Sequence, residues 1–493
     1  MLLLGIDIGT ASAKGVLARP DGTVVAQATR EHRVSTPHPG WVEHDPARVW
    51  WDGFAALAGE LTGAAASVGE PIAAVGISGI GPCLLPASAD GQPLRAAILY
   101  GVDTRATAEI AAQASRYGAE EVLARCGSPL TSQAVGPKLA WVRAHEPDVW
   151  AASRRWYMAS SWLVYRLTGE YVLDHHSASQ CTPLYDPAAQ GWIGEWCDEI
   201  APGLEWPRLL WPAEVAGTVT ARAAEATGLP AGIPVVAGTI DAWAEAVSVG
   251  VAVPGDVMVM YGTTMFLVEV LAGRRSWPTL WGTVGAFPGT YNLAAGMATS
   301  GAITAWLKGL TGADYPTLLA EAASAGVGAD GLLMLPYFAG ERTPLFDPDA
   351  RGVIVGLTLR HGRGHLYRAA LEATAFGVRH NLEAMAEAGG AAKRLVAVGG
   401  GTQGGLWTQI VSDVTGQPQQ LPRHTVGAAY GDALLAGLGA DLVPEPGTWN
   451  PVETTVTPDP AATERYDTLY RLYRDLYPAT LPIAHTLAAR QLG

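Results

Sequence analysis

The stretch LLLGIDIGTASAKGVLA, residues 2–18, carries the pattern that decides the fold of this 493-residue chain. Apolar residues alternate through Leu2–Ile8 and recur in Ala13–Ala18, which predicts two buried strands. The pair Asp21-Gly22 then turns the chain into a third strand at Thr23–Arg30. The chain is therefore predicted to open with a small antiparallel meander.

Working outward from this stretch, strands and helices alternate. Pro46–Leu61 has helical spacing, with Asp45 as a candidate N-cap before a proline at the first helical position. Ile72–Ser78 is a further predicted strand, and Pro137–His145 and Ser160–Leu167 are predicted helices. This alternation is typical of the α/β class.

A second stretch, VMVMYGTTMFLVEVLA at residues 257–272, repeats the order strand, Gly-Thr turn, strand. The repetition suggests an internal duplication, although Gly-Thr turns between strands are common enough to leave both interpretations open. We place the domain boundary between Asp241 and Pro254. At about 100 to 200 residues per domain, the length fits two large domains.

A third landmark is the predicted strand Arg394–Val398, which runs into the turn GGGTQGG and then into a helical stretch, Trp407–Thr415. A glycine-rich turn that opens a helix suits an anion or a nucleotide, because the backbone can approach and the helix N-terminus is electropositive. The spacing of Gly399, Gly401 and Gly404 matches G-x-G-x-x-G. A dinucleotide site would also need an acidic residue about 20 positions later, where glutamines stand instead, so a Rossmann dehydrogenase is disfavoured.

Composition narrows the classes of partner. The chain is 49% hydrophobic and 16% charged, as expected for a globular protein, and its net charge of −14 argues against nucleic acid or an anionic membrane. It has no signal peptide and no run of 18 uncharged apolar residues, which predicts a cytoplasmic protein. The four cysteines have no C-x-x-C spacing and are expected to be free and buried.

Two carboxylates stand where buried strands end. Asp7, followed by Gly9-Thr10, could hold a hydrated magnesium ion while the turn binds phosphate, or it could only cap the turn. Asp241 follows the predicted strand Ile233–Ala237 and could face an α/β cleft or serve as a helix N-cap. His175-His176 lacks a third ligand at fixed spacing, so a solvated loop is favoured over a metal site.

Several long motifs, in order, resemble the FGGY family of carbohydrate kinases over nearly the whole chain. DIGT at 7–10 and PGWVEHDP at 39–46 are similar to the first phosphate motif and to the segment that follows it. YGTT at 261–264 resembles the second phosphate motif. The family signature is matched by GERTPLFDPDARGVIVGL at 340–357 with RAALEATAFGVRHNLE at 368–383, and GPKLAWVRAHEPDVW at 136–150 is similar to the xylulose-kinase branch.

The resemblance implies an actin-like ATPase fold of two α/β, ribonuclease H-like domains, residues 1–245 and 246–493, with ATP and sugar in the cleft between them. It implies an enzyme that transfers a phosphate from ATP to a small carbohydrate, with ATP and Mg²⁺ required. No nucleic acid or membrane partner is expected, and a homodimer is left open.

The resemblance also carries over residue roles. Asp241 matches the catalytic base of the family. Asp7 and Asp241 match its magnesium site, where Asp7 would hold the ion through water. The phosphate and nucleotide contacts fall on Gly9, Thr10, Lys14, Gly262, Thr263, Thr264, Gly301, Gly400, Gly401 and Gly404. The sugar contacts fall on Trp41, Glu43, Ile80, Gly81, Asp103, Asp241 and Trp243.

Departures from the family concern the substrate. Where xylulose kinases carry Gln-Met-His after the strand at 74–78, this chain has Gly79-Ile80-Gly81-Pro82, and Ala242 replaces the usual Asn or Gln after the catalytic acid. A site must pair the hydroxyl groups that it buries, so D-xylulose itself is in doubt. A pentulose is the first expectation, and a hexulose, a polyol or a non-catalytic nucleotide-binding protein are the alternatives.

Overall fold

A computed structural model describes residues 1–491 and divides the chain into two compact units. Unit 1 comprises Met1–Val253, Leu271–Asn292 and Val426–Asn450, and unit 2 comprises Pro254–Val270, Leu293–Thr425 and Pro451–Gly493. A long helix, Pro460–Gln491, is the last element of the described residues. The division of the chain at residue 245 stays a prediction.

Strands and helices alternate along the described residues, which confirms the α/β class. The strands are β1 Leu2–Ile8, β2 Ser12–Ala18, β3 Val24–Glu31, β4 Glu43–His44, β5 Ile72–Gly79, β6 Leu85–Ala87, β7 Ala97–Ile98, β8 Arg155–Tyr157, β9 Val172–Asp174, β10 Tyr185–Asp186, β11 Gly191–Trp192, β12 Arg208–Leu210, β13 Val215–Thr218, β14 Pro234–Val236, β15 Thr239–Ile240, β16 Asp256–Tyr261, β17 Met265–Leu271, β18 Trp281–Val284, β19 Tyr291–Met297, β20 Leu333–Leu335, β21 Val353–Val355, β22 Arg394–Val398, β23 Gln419–Pro422 and β24 Val452–Val456. The helices are α1 Asp52–Val68, α2 Thr107–Tyr117, α3 Ala119–Cys126, α4 Val135–His145, α5 Pro147–Ala152, α6 Ala159–Thr168, α7 His175–Ser179, α8 Gly194–Ile200, α9 Ala221–Thr227, α10 Asp241–Ser248, α11 Gly301–Thr311, α12 Tyr315–Ala325, α13 Arg363–Glu387, α14 Leu406–Thr415, α15 Ala428–Gly439 and α16 Pro460–Gln491.

The central sheet of unit 1 begins with the predicted meander. Its strand order is β13-β14-β5-β1-β2-β3, and β15 also pairs with β5. β1 is antiparallel to β2 and parallel to β5, and β2 is antiparallel to β3. The meander is therefore confirmed, and β5 adds the parallel neighbour that brings two strand ends to one edge of the sheet.

Helices cover both faces of this sheet. Leu4 and Ile6 pack in a core with Phe54 and Leu57 of α1, whereas Leu3 packs in a second core with residues of α15. Successive side chains of a strand point to opposite faces, so odd-numbered residues of β1 lie on the α15 side. Asp7 belongs to that set.

The helix predicted at residues 46–61 is present with one difference. Asp45 caps it, since its Oδ1 accepts hydrogen bonds from the N–H groups of Ala47 and Arg48 at 3.0 and 3.1 Å. The first segment, Pro46–Trp51, is a π-helix, and the regular α1 then runs to Val68. The N-cap was thus predictable, whereas the wide first turn was not.

Unit 2 repeats the strand arrangement of unit 1. β16 is antiparallel to β17 and parallel to β22, β22 is parallel to β23, and β23 is antiparallel to β24. In unit 1 the same relations hold for β1, β2, β5, β14 and β13. The shared arrangement supports the duplication suggested by the two Gly-Thr stretches.

One expectation is wrong. His175-His176 does not lie in a solvated loop but begins α7, and Asp174 caps that helix by accepting from the N–H of Ser177 at 3.0 Å. His176 is fully buried, and its Nδ1 lies 2.7 Å from the carbonyl oxygen of Val284. Val284 is 108 positions away from His176, so no local pattern could have shown this contact.

Two further expectations concern the thiols and the membrane. Cys83, Cys126, Cys181 and Cys197 are all free and buried, as predicted. Within residues 1–491, none of the helices combines the length and the apolar character needed to cross a membrane.

Candidate active site

Asp7 lies near the end of β1, at the carboxyl edge of the sheet of unit 1. Its partners in the neighbouring strands are Lys14 on β2 and Ser78 on β5. Residues directly opposite one another share a face, so all three side chains lie on the α15 side. Asp7 is only 8% exposed, and the hydroxyl of Ser78 lies 3.1 Å from its Oδ1.

Asp241 projects from the same edge. It is the first residue of α10 and follows β15 directly, where Thr239 aligns with Ser78 of β5. Because neighbouring strands are about 4.8 Å apart, β15 and β1 lie roughly 10 Å apart, with β5 between them. The helix N-cap is Ile240, so the alternative role of Asp241 as the N-cap is wrong; the Asp241 Oδ1 accepts a hydrogen bond from the N–H of Ala242 at 2.8 Å.

Several carboxyl groups lie at this edge of the sheet, and their pKa values are raised. Burial raises the pKa of Asp7 to about 6, against the lowering effects of Ser78 and of the Lys14 charge. Burial, and then the negative charge of Asp7, raise the pKa of Asp241 well above its ordinary value. The same two causes raise the pKa of Glu245, one turn further along α10, to about 7. Such clusters of perturbed carboxylates occur preferentially at functional sites.

The turn between β1 and β2 is closed by a hydrogen bond from the N–H of Gly9 to the carbonyl oxygen of Ser12, at 3.0 Å. The N–H of Gly9 is therefore not available to a ligand. Within residues 1–491, the N–H groups of Thr10 and Ala11 take part in none of the backbone hydrogen bonds of the turn. These two amides are the donors that the turn can offer to an anion.

Two histidines contact the backbone carbonyl groups of the turn between β1 and β2. His32 Nε2 lies 3.0 Å from the carbonyl oxygen of Gly9, and His44 Nε2 lies 3.1 Å from that of Thr10. The indole N–H of Trp50 donates to His44 Nδ1 at 3.1 Å, and an indole can only donate, so the His44 proton is on Nε2 and is donated to Thr10. Burial lowers the pKa of His44 to about 4, which keeps this tautomer neutral.

In unit 2, the turn between β16 and β17 lies against the N-terminus of α11. The N–H of Gly301 donates to the carbonyl oxygen of Gly262 at 3.0 Å, and the N–H groups of Ser300 and Ala302 donate to that of Thr263 at 3.1 and 3.0 Å. A Cβ at position 301 would lie 2.6 Å from the Gly262 oxygen, so only glycine fits this approach. The structure therefore joins Gly301 to the second Gly-Thr turn.

This second turn resembles the first in its own closure. The N–H of Gly262 donates to the carbonyl oxygen of Thr264 at 3.1 Å, just as that of Gly9 closes the turn in unit 1. Thr263 is exposed at the tip of the turn. In both turns the glycine N–H is bonded within the turn, and the residue that follows the glycine is exposed at Thr263 and partly buried at Thr10.

The glycine-rich turn after β22 lies beside the end of β16, because Val398 aligns with Met260. Gly399 has a φ of 92°, and a Cβ there would lie 2.7 Å from the carbonyl oxygen of Tyr261. A Cβ at Gly401 would lie 2.8 Å from the Trp407 ring. Gly400 faces open space, and Gly404 has a φ of 83° shortly before α14 begins. Within unit 2, the predicted nucleotide residues therefore share one edge of the sheet.

Three of the predicted sugar contacts form a separate cluster around Arg105. Its guanidinium carbon lies 4.1 Å from the centroid of the Trp41 ring, and its Nη2 lies 2.7 Å from Asp103 Oδ2. Glu43 is paired with Arg105 Nη1 at 2.8 Å and also with Arg95. Asp103 and Glu43 are buried and already neutralised by arginine, so any hydroxyl group would have to share their remaining lone pairs.

The other predicted sugar contacts lie near Asp241. Ile80 extends the sheet beyond β5 by donating its N–H to the carbonyl oxygen of Ile8 at 2.7 Å. A Cβ at Gly81 would lie 2.6 Å from the side chain of Ile240, which precedes the acid. Trp243 is buried, and its ring centroid lies 3.9 Å from that of His176.

Sequence reasoning missed Ser78 and Asp432 as site residues. The Ser78 hydroxyl lies 2.6 Å from Asp432 Oδ2 as well as near Asp7, and Asp432 is fully buried. A signal existed: Asp432 is the sole charged residue of α15, AAYGDALLAGLG. Carboxylates are almost never fully buried without a specific partner, so one in an apolar helix indicates a role.

Comparisons with known proteins identify the family of the chain. The N-terminal domain model of the FGGY family of carbohydrate kinases matches residues 2–248, and the C-terminal domain model matches residues 257–440. The crystal structure of xylulose kinase from Rhodospirillum rubrum has a TM-score of 0.91 and 36% identity, covering 98% of this chain and 100% of that one. Its strong similarity supports the actin-like fold of both halves.

The related proteins include both xylulose kinases and glycerol kinases. Xylulose kinase from Escherichia coli (strain K12) is 32% identical over 500 residues, covering 98% of this chain and 100% of that protein. Glycerol kinase from Nocardia farcinica is 31% identical over 455 residues, covering 88% of this chain and 89% of that protein. The similarity to the first spans almost the entire chain.

Proposed function

Because the chain belongs to the FGGY family of carbohydrate kinases, and is thus a phosphotransferase that uses ATP, we propose that its acceptor is a pentulose, with xylulose first. The observation that carries this proposal is the end-to-end similarity to proteins named xylulose kinase, in both sequence and structure. An enzyme of this kind draws on the cytoplasmic pool of ATP, so we propose a cytoplasmic location.

A polyol is the second candidate. The glycerol kinase of Nocardia farcinica favours it, and so does the run Gly79-Ile80-Gly81-Pro82, which offers no polar side chain to a sugar hydroxyl. A smaller acceptor with fewer hydroxyl groups needs fewer partners. A hexulose would need more of them, so it ranks below both.

In the proposed reaction Asp241 is the general base. It accepts the proton of the acceptor hydroxyl as the oxygen attacks the γ-phosphorus of ATP. Its support is its place at the carboxyl edge of the sheet, its partial exposure and its raised pKa, since a base works best when its pKa approaches the working pH.

Magnesium fits the acidic edge. Within the described residues no three His, Cys, Asp or Glu side chains could hold a metal by themselves. Mg²⁺ does not need such a cage, because it keeps several waters and binds one or two carboxylates together with substrate phosphates. Asp7 would hold the ion through water, with Asp241 as the second carboxylate. When bound, the ion supplies positive charge to the transferring phosphate.

The two Gly-Thr turns are the proposed phosphate contacts. In unit 1, Gly9 shapes the turn and Thr10 presents its N–H, with Lys14 as a nearby cation. In unit 2, the turn Gly262–Thr264 is supported by Gly301. Fixed backbone donors cost no reorganisation during phosphoryl transfer, which asks the protein mainly for alignment and charge stabilisation.

The adenosine contacts are proposed for Gly400, Gly401 and Gly404, where the missing side chains leave the backbone accessible. The acceptor contacts are proposed for Trp41, Glu43, Ile80, Gly81, Asp103, Asp241 and Trp243. Asp103 and Glu43 carry the least support in this set, because arginines already occupy them.

A substrate panel tests the function. Purified protein with ATP and Mg²⁺ is given xylulose, ribulose, fructose, glycerol and erythritol, and ADP release is measured for each. We expect xylulose or ribulose to give the highest kcat/KM. A preference for glycerol of tenfold or more would favour the polyol, and no acceptor raising ADP release above the sugar-free rate would refute the proposal.

A further inference from the structure

Asp7, Ser78 and Asp432 form a row of three polar side chains inside unit 1. Ser78 Oγ lies 3.1 Å from Asp7 Oδ1 and 2.6 Å from Asp432 Oδ2. Asp7 and Ser78 are opposite one another on β1 and β5, whereas Asp432 is on α15. The hydroxyl therefore bridges the sheet and the helix that covers it.

Glycines bring the helix this close to the sheet. A Cβ at Gly5 would lie 1.9 Å from the carbonyl oxygen of Ala429, and a Cβ at Gly76 would lie 2.0 Å from that of Asp432. Gly5 and Gly76 are themselves opposite one another on β1 and β5. The backbone of α15 thus rests on two strands without intervening side chains, and Asp432 is pressed against the row that holds Asp7.

The number of hydrogens at Ser78 limits which groups can donate in the two hydrogen bonds of this row. The hydroxyl of Ser78 has one hydrogen, so it cannot donate to two ionised carboxylates at once. One of the two carboxyl groups must carry a proton and donate it to Ser78 Oγ. Both contacts, 2.6 Å to Asp432 and 3.1 Å to Asp7, are within hydrogen-bonding distance, so each of them needs a hydrogen.

Burial assigns the proton to Asp432. This residue is 0% exposed, whereas Asp7 is 8% exposed and has Lys14 opposite it. An ionised carboxylate without a cation is costly in the protein interior, so the more deeply buried acid is the neutral one. The direction of its pKa agrees: burial, and then the charge of Asp7, raise the pKa of Asp432 well above its ordinary value.

We propose that Asp432, as a neutral acid, is a positioning residue for Asp7: it donates to Ser78, and Ser78 in turn donates to Asp7 Oδ1. The chain of hydrogen bonds fixes the orientation of the Asp7 carboxyl group, because Ser78 engages its Oδ1. The inference rests on the proposed function in one respect, namely that Asp7 helps to hold the magnesium ion. Groups that orient metal ligands from behind typically affect metal affinity by 10- to 100-fold.

The test measures metal binding without turnover. Mn²⁺ is titrated into the full-length protein with saturating ADP, and bound Mn²⁺ is followed by electron paramagnetic resonance. Ser78→Ala and Asp432→Ala should each weaken Mn²⁺ binding by at least tenfold. Asp432→Asn should restore most of that loss, because its amide N–H₂ can donate to Ser78 in place of the acid. Thr227→Ala is the matched control, since it also removes a buried hydroxyl of unit 1 but lies on α9.

Two outcomes would overturn the inference. If Ser78→Ala binds Mn²⁺ as tightly as Thr227→Ala does, the bridge does not position Asp7. If Asp432→Asn binds as weakly as Asp432→Ala, the site needs a charge at 432 rather than a neutral donor. Should Asp432→Ala fail to fold, the Ser78→Ala and Asp432→Asn variants still decide. The substrate panel is independent of this titration, so a failure of the proposed acceptor would leave the result readable.

Discussion

At the scale of single residues, the distinctive feature of this protein is that three carboxyl groups, those of Asp7, Asp241 and Glu245, influence one another at one edge of a sheet, with Lys14 as a nearby cation. Asp7 and Asp241 lie at the ends of two strands of one sheet, and burial together with the charge of Asp7 raises the pKa of Asp241 and of Glu245. Such a cluster lowers the stability of the empty protein and is retained where function needs it. A divalent ion and a phosphate-bearing ligand are its natural complement.

The first prediction concerns the base. Asp241→Asn should lower kcat by roughly 10² to 10⁴, because the variant cannot accept the acceptor proton. Binding of ADP in the absence of Mg²⁺ should change little, since Asp241 is proposed to contact the ion and the acceptor but not the nucleotide. Steady-state assays and calorimetric titration with ADP measure the two quantities. Asp52→Asn is the control, because it makes the same change in an exposed acid at the first position of α1. Normal turnover by Asp241→Asn would refute the assignment.

Asp241 also determines the pH dependence that we expect for the activity. The base works only when ionised, and its pKa in the folded protein is raised above its ordinary value, so activity is present above that pKa and lost as the pH falls through it. We therefore expect kcat/KM to decline on the acid side with an apparent pKa clearly above about 4, the ordinary value for aspartate. Measurement between pH 5 and 9 would show it. A flat profile down to pH 5 would contradict the raised pKa.

At the scale of elements, the phosphate turns owe their shape to the elements behind them. His32 and His44 hold the first turn by its carbonyl oxygens, and the N-terminus of α11 holds the second. In both turns carbonyl groups are engaged by the element behind, and within residues 1–491 the N–H groups of Thr10 and Ala11 of the first turn take part in none of its backbone hydrogen bonds and can face an anion. Rigid donors of this kind suit phosphoryl transfer.

A substitution in α11 tests this support. Gly301→Ala places a Cβ 2.6 Å from the Gly262 oxygen, and overpacking of this kind typically costs about 1 to 3 kcal/mol. We expect ADP to bind at least fivefold more weakly, as measured by calorimetry. Gly309→Ala on the same helix is the matched control, because a Cβ there meets nothing within 4 Å and alanine favours a helix. Equal ADP affinity in the two variants would contradict the role of Gly301.

At the scale of the whole molecule, the chain does not complete one unit before it begins the next. It passes between the units after residues 253, 270, 292, 425 and 450. The segment at 426–450 returns to unit 1 and contributes α15, which packs on Leu3, Val16 and Ala74. The first 253 residues therefore lack the helix that covers one face of their own sheet.

Truncation tests this dependence. A fragment of residues 1–253 should expose that apolar face, and we expect it to bind the dye ANS and to lack a native near-ultraviolet circular dichroism spectrum. Joining residues 426–450 to the fragment through a flexible linker should reduce ANS binding, because α15 can then cover Leu3 and Ala74. A fragment 1–253 that folds natively alone would show that α15 is dispensable for unit 1.

What the sequence determined by itself is local. The alternation in Leu2–Ile8, the cap at Asp45 and the two Gly-Thr turns depend on residues within a few positions of one another, and each was predictable for that reason. The long motifs added the family and pointed to Asp7 and Asp241, whose roles stay predictions.

What only the tertiary structure decided are the contacts that join distant segments. Ser78 and Asp432 are 354 positions apart, and His176 contacts the carbonyl oxygen of Val284, which is 108 positions away. No periodicity or spacing encodes such pairs, because they form only when whole elements pack and glycines allow backbones to approach. Local sequence thus placed Asp7 and Asp241 at the ends of their strands, whereas tertiary packing decided which other side chains these two acids contact.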